Sequence, residues 1–336
     1  MQSKSQQKNI QKEINYLNKF ASNYRESIIF LVAVKYKLFN TLVNSSKTAE
    51  QIAKILKWNP RATEKLCNAL IGIGVLEKKN GKYLNTHLSK DYLIEGKPFY
   101  QGNILEHNWN LIHRWIKLDE VLRTGKPVSE RSKRYQSKKE LEAFILGMKN
   151  LAKQSAYELL KKIDLSKCKN MLDLGGGPAT YSIIFTKAYP KLHATVLDLP
   201  EVAPIAKKEI KKHTATRVNT KIGNMLDGNY GKGFDVILLS SIIHSFGPED
   251  NQRIIHYCAE SLVPGGMLII KDFYCNEDRT APHSSLMFAI NMMVGTEKGD
   301  TYTINEVKSW MQSAGFHKII KKIFDSRSEI LIGIKK

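Results

Sequence analysis

From Asn170 to the end of the chain, short apolar runs alternate with amphipathic stretches at helical spacing. Nothing else in the sequence restricts the fold as much. Strands are read at Met171–Leu174, His193–Leu197, Arg217–Ile222, Phe234–Ile243 and Met267–Tyr274. Helices are read at Tyr181–Tyr189, Glu201–His213, Pro248–Leu262 and Thr303–Ala314, and His317–Lys336 closes as two strands around Asp325-Ser326. Strands joined through helices return in parallel, with helices over both faces of the sheet. The expected fold class is α/β, a doubly wound, Rossmann-like, mostly parallel sheet.

The first half has a different grammar. Residues 8–43 read as helix, with Ile10, Ile14, Leu17, Tyr24 and Ile28 forming a narrow apolar stripe that needs a partner to cover it. Thr48 caps a helix to Leu56, and Asn59-Pro60 opens another with Leu66, Leu70 and Ile73 on one face. Val75–Leu84 is a hairpin turning at Asn80-Gly81. Three helices and a hairpin make a winged-helix pattern, so an all-helical winged-helix domain with the hairpin as its wing is expected over 1–99. A helical linker follows over 100–165, broken at Gly125-Lys-Pro127 and carrying a charged loop from Ser129 to Lys139; the α/β domain is 166–336. A length of 336 residues suits two domains.

Charge is uneven. Residues 1–170 hold 32 basic and 15 acidic side chains, against 20 and 17 in the remainder. The lysines are scattered along helices without a dense basic block, which reads as a solvated surface; no nucleic-acid partner is expected. No apolar run reaches the ~18 residues that would span a bilayer, and the polar start has no signal-peptide core. Cys67, Cys168, Cys258 and Cys275 are far apart, so neither a disulfide framework nor a metal site is expected, and the location expected is cytoplasmic.

The chemistry concentrates in Met171-Leu-Asp-Leu-Gly-Gly-Gly-Pro-Ala-Thr180, where the first strand of the α/β domain turns into its helix. Glycines there let a ligand approach the backbone at the carboxyl ends of the strands. Asp173, at the strand end, is expected to point a carboxylate into the cleft, where it would repel a pyrophosphate and favour an ammonium. Asp198 ends the next strand, 21 residues past Gly177, as suits a ribose diol. Ribose and ammonium without phosphate describe S-adenosylmethionine; NAD is the alternative, disfavoured by Asp173.

From about residue 25 onward the chain resembles the class I S-adenosylmethionine-dependent O-methyltransferases of the caffeate and acetylserotonin type. The resemblance rests on Phe39-Asn-Thr-Leu42, Thr48-Ala-Glu-Gln-Ile52, Pro60-Arg-Ala-Thr-Glu-Lys-Leu66, Asp173-Leu-Gly-Gly-Gly177, Val196-Leu-Asp-Leu-Pro200, Gly223-Asn-Met225 and Pro264-Gly-Gly266 in order. It implies a homodimer joined through the N-terminal domain and a small-molecule acceptor. It implies cofactor contacts from Asp173, Gly175, Gly176, Gly177, Asp198, Leu199, Asn224, Met225 and Ser240. Ala179 stands where a third glycine is usual, and Ser240 where the family has a lysine.

The resemblance also makes His244 the general base, in a His-Ser-Phe context where the family reads His-Asp-Trp. Three acids are candidates to flank it: Asp300, Asp272 and Glu277. The Met-rich stretch Ser284–Met293 is expected to wall the acceptor pocket through Met287, Phe288, Asn291 and Met292, with Trp109, His113 and Trp115 as further candidates; His256 is read as structural. The function this implies is methyl transfer to a hydroxyl of an aromatic or polycyclic acceptor. The alternatives are a C-, N- or S-methyltransferase of this fold, a cofactor-binding protein without turnover, and a winged-helix DNA-binding regulator with a ligand-sensing domain. For the regulator, the helix Asn59–Ile73 offers only Arg61 and Lys65 as base readers.

Overall fold

The computed structural model describes residues 4–128, 137–325 and 327–336. Residues 129–136 of the charged loop, and Ser326 of the expected closing turn, lie outside the described residues. The chain divides into two compact units, Met1–Asn110 and Leu111–Lys336.

In the first unit the helical stretch read over 8–43 is α1 (Lys4–Ser22), α2 (Tyr24–Lys35) and a short 3-10 turn at Leu38–Leu42. The break after α2 is set by Lys37, whose φ of 54° is left-handed. Helix α3 (Ala49–Leu56) starts with a capping box: Thr48 Oγ1 accepts from the Gln51 N–H, and the Gln51 side chain accepts from the Thr48 N–H. Asn59 caps α4 (Pro60–Gly72) through the Ala62 N–H at 3.0 Å. The wing is β1 (Leu76–Lys79) and β2 (Lys82–Asn85), with Asn80 and Gly81 both at positive φ as a type I′ turn requires. Leu38, Phe39, Ile52, Cys67, Leu70 and Tyr83 form its core. A short α5 (His87–Tyr92) and α6 (Gly102–Trp115) follow; the division between units falls inside α6.

The second unit continues with α7 (Leu118–Thr124) and α8 (Lys138–Leu160). Its sheet holds β3 (Asn170–Leu174), β4 (His193–Asp198), β5 (Val218–Ile222), β6 (Phe234–Ser240) and β7 (Leu262–Asp272) in parallel. With β10 (Phe316–Ile323) and β11 (Glu329–Lys335) the order is β10-β11-β7-β6-β3-β4-β5, the last-formed strands running antiparallel. A separate parallel pair, β8 (Tyr274–Cys275) and β9 (Tyr302–Thr303), was not visible in the sequence pattern. Helices α9 (Thr180–Ala188) and α10 (Ala203–Lys212) pack with α8 on one face. Helices α11 (Pro248–Ser261) and α13 (Ile304–Ser313) cover the other.

The strand order reverses between β3 and β6, and the crevice at their carboxyl ends is where such sheets bind ligands. Strand β6, read to Ile243, ends at Ser240 because Ser241 takes a φ of 59° and turns the chain into a 3-10 turn at Ile243–Ser245. The Met-rich stretch is helix α12 (His283–Gly295). Among the described residues no helix is long and apolar enough to cross a membrane.

Candidate active site

The loop after β3 is built by its own hydrogen bonds. Gly175 N–H donates to the Leu197 carbonyl at 2.8 Å, and Gly177 N–H to Asp198 Oδ2 at 2.8 Å. Gly175 sits at φ +70°, and a Cβ there would lie 2.5 Å from Ile242 Cδ1 and 3.0 Å from Met225 Cε. A Cβ on Gly176 would meet the Asp173 carboxyl carbon at 2.6 Å. Ala179 takes a φ of 63° at the start of α9, a left-handed conformation costing an alanine about 1–2 kcal/mol. Its lack of a third glycine is therefore carried as strain.

Asp198 ends β4 beside this loop. Its second oxygen accepts from the Leu199 N–H at 2.8 Å, so both oxygens are oriented by main chain before any ligand arrives, and burial raises its pKa. Asp173 departs from expectation. It is buried behind the loop at 2% exposure, accepting from Ser182 Oγ at 2.7 Å, instead of pointing into the cleft. The reason is the close seat of Gly176 over its carboxyl. Burial pushes its pKa up to about 6, against the pull of the Ser182 hydroxyl. Asn224 Oδ1 accepts from the Leu226 N–H at 3.1 Å and so caps the turn carrying Met225, whose methyl packs toward Gly175.

These residues suit an adenosyl amino acid. Gly177 opens on free space, Asp198 is a preset acceptor pair, and Thr180 Oγ1 at the start of α9 is buried without a partner. Ser240, Asn224 and Met225 come to the same edge of the sheet.

His244 lies in the turn after β6, 9% exposed, with Nδ1 2.7 Å from Asp272 Oδ1. Asp272, fully buried at the end of β7, also accepts from the N–H groups of Phe273 at 2.8 Å and of Ile242 and Ile243 at 3.0 Å each. With three main-chain donors already on this carboxylate, Nδ1 is the fourth. The proton sits on Nδ1 and the Nε2 lone pair is left for a substrate.

Of the three acids read as candidates to flank His244, the structure selects Asp272. Asp300 instead accepts from Arg279 at 3.2 Å, while Arg279 also donates to Glu306; Glu277 is exposed.

The His244 ring meets Phe288 edge-on at 4.8 Å between centroids, and Phe288 lies 4.6 Å from Phe273. Asn291, one turn along α12, accepts from Trp115 Nε1 at 3.1 Å. Met292, four residues after Phe288 and on the same helix face, is buried at 3% exposure, whereas Met287 is 45% exposed. An apolar stretch without polar relief does not disclose which helix face meets the site. Trp109 lies under the Lys35 ammonium within the first unit, His113 is exposed, and His256 makes an exposed pair with Glu260. Phe273 was missed in the sequence, although it directly follows the acid that ends β7.

Comparison with known proteins accords with this geometry. The O-methyltransferase domain family matches residues 123–317, more than half of the chain, and the O-methyltransferase dimerisation domain family matches 18–95. A 3-hydroxy-5-methyl-1-naphthoate 3-O-methyltransferase of Streptomyces sahachiroi is 29% identical over 90% of both chains. An O-methyltransferase family protein from Burkholderia thailandensis superposes with a TM-score of 0.88 at 28% identity, covering 96% of this chain and 98% of the other. The human N-acetylserotonin methyltransferase, solved in complex with SAM, shares the fold with a TM-score of 0.88 at 23% identity over 96% and 97%. The chain belongs to the O-methyltransferase family and is an S-adenosylmethionine-dependent methyltransferase.

Proposed function

We propose that this methyltransferase acts on a hydroxyl of an aromatic or polycyclic acceptor, with His244 as general base. The carrying observation is the 2.7 Å bond between His244 Nδ1 and Asp272, which leaves Nε2 as a proton acceptor beside two phenylalanine rings. A hydroxyl is a poor nucleophile until its proton leaves, whereas a thiolate, a neutral amine or an activated carbon needs no such base. The relative acting on a hydroxynaphthoate supports the same acceptor class.

When bound, S-adenosylmethionine supplies a methyl group on a positively charged sulfur. Asp198, the Gly175–Gly177 loop, Leu199, Asn224, Met225 and Ser240 would hold it. Phe273 and Phe288 position a flat acceptor, Asn291 is fixed by Trp115, and His244 Nε2 takes the hydroxyl proton. The resulting imidazolium is stabilised by Asp272. We further place the enzyme in the cytoplasm as a homodimer, with the stripe of α1 (Ile14, Leu17 and Phe20, 45 to 66% exposed) covered by a second copy.

The test is His244→Ala. Cofactor affinity should stay within about threefold while turnover on a phenolic acceptor falls by ~10²–10⁴. A variant with near-full turnover would place the acceptor among carbon, nitrogen or sulfur nucleophiles. Sequence-specific DNA binding by the first unit, with no turnover on any acceptor, would favour the regulator.

A further inference from the structure

Asn251, in the first turn of α11, is fully buried, and nothing in the chemistry above uses it. Its amide nitrogen donates to the Ile243 carbonyl at 2.9 Å and to the Phe246 carbonyl at 3.2 Å, the residues that bracket His244 and Ser245. Carbonyl oxygens only accept, so these two neighbours fix the amide with its nitrogen toward the turn. Its own oxygen, Oδ1, is buried with no hydrogen-bond partner among the described residues. An orphaned buried acceptor is costly, so stability alone does not account for an amide at this place.

Two further donors reach the same turn from the chain that leaves α12. The Asp300 N–H donates to the His244 carbonyl at 3.0 Å, and the Tyr302 hydroxyl of β9 to the Phe246 carbonyl at 2.5 Å. Gly299 lies so close that a Cβ there would stand 2.5 Å from the His244 carbonyl oxygen. The carbonyls of Ile243, His244 and Phe246 are thus each held from α11 or from residues 300–302. On the other side Asp272 holds the N–H groups of Ile242 and Ile243. The turn needs this surround, because it is entered through Ser241 at a φ of 59°, a conformation that persists only where its neighbours over-determine it.

Helix α12 is bound into the same frame. Thr296 Oγ1 donates to the Met292 carbonyl at 2.7 Å and accepts from the Gly299 N–H at 2.9 Å. At the other end of the helix, Ser285 Oγ donates to the Tyr274 carbonyl at 2.8 Å. The helix that carries Phe288 is therefore joined to the main chain of His244 through Gly299 and Asp300.

We propose that Asn251 and Tyr302 are positioning residues for His244, holding the main chain of its turn so that the imidazole keeps its bond to Asp272 and its place against α12. The proposal rests on the reading of His244 as base and adds two residues that act through it. Asn251→Leu, close to the amide in size, and Tyr302→Phe, which removes only the hydroxyl, test it. The Phe246 carbonyl keeps a donor in each single variant, and the Ile243 carbonyl keeps the Phe246 N–H at 3.3 Å. Exchange of the His244 Nδ1 proton with solvent, followed by NMR on the ligand-free protein, should quicken about tenfold or more in both. With a hydroxynaphthoate as acceptor, kcat should fall about ten- to a hundredfold, as it does when a reacting group is slightly misplaced, while KM and S-adenosylhomocysteine affinity stay within about threefold. In a His244→Ala background neither substitution should slow turnover further. If Asn251→Leu does not fold, Tyr302→Phe carries the same comparison. Unchanged proton exchange, or an equal loss of kcat with and without the imidazole, overturns the proposal. Faster exchange beside a fully active His244→Ala protein keeps the positioning and overturns the reading of His244 as base.

Discussion

Asp272→Asn replaces one carboxylate oxygen of the site by an amide nitrogen and separates orientation of the base from its mere presence. The wild-type carboxylate accepts four N–H donors, two on each oxygen. An amide has only one accepting oxygen. With that oxygen kept against the Ile242 and Ile243 N–H groups, the amide NH₂ faces His244 Nδ1. The ring must then accept at Nδ1 and carry its proton on Nε2, toward the acceptor, where it can no longer remove one. Turnover should fall by ~10²–10⁴, close to the loss from removing the imidazole altogether. The Asp272→Asn, His244→Ala double variant should be no slower than His244→Ala alone, because the two residues act as one unit.

Losing the charge on a buried acceptor costs about 1.5–3 kcal/mol. For a unit of this size that is a fall in Tm of about 3–12 °C. S-adenosylhomocysteine affinity, read by calorimetry, should not change. Initial rates, melting curves and binding together form the assay. A variant that melts earlier yet keeps turnover within threefold would refute the tautomer argument, leaving Asp272 a purely structural anchor for the turn after β6.

Two further outcomes follow. Burial raises Asp173 to about 6 from an ordinary 3.8, so its folded form favours the protonated acid; the stabilisation is complete below the unfolded value and lost as pH rises through about 6. The ligand-free Asp173→Asn protein, which can still accept from Ser182, should therefore melt above wild type at pH 7.5, by up to about 3 kcal/mol. That advantage should shrink as pH falls and close only below about 3.8, the unfolded value, and one that is independent of pH would refute the assignment. Light scattering should give twice the 38.3 kDa chain mass, and Leu17→Asp with Phe20→Asp should halve it; a full-length monomer would refute the role given to α1.

The α/β unit was legible because buried parallel strands read as apolar runs and their helices as amphipathic ones. Boundaries failed where single residues in left-handed conformations, Lys37 and Ser241, turned the chain without glycine to mark the place. The cofactor loop was legible from glycine spacing, but the direction of Asp173 was not. Whether an acid at a strand end faces the crevice or lies behind the loop depends on how closely Gly176 folds over it. His244 came from resemblance, and its partner came only from three dimensions. Asp272 and His244 are 28 positions apart, and no local pattern distinguishes Asp272 from Asp300.

Strand β7 carries Lys271 and Asp272 side by side, one for each face of the sheet. A slip of one residue in its pairing would exchange them, setting an ammonium against the imidazole and a carboxylate in the opposite layer. Such a chain could keep nearly all its apolar burial at that strand end and still be inert. What prevents the slip is pairing on both sides, with β6 in parallel and β11 in antiparallel. The last strand to be synthesised, remote from the glycine loop and from α12, thus helps determine the sign of the charge beneath the base.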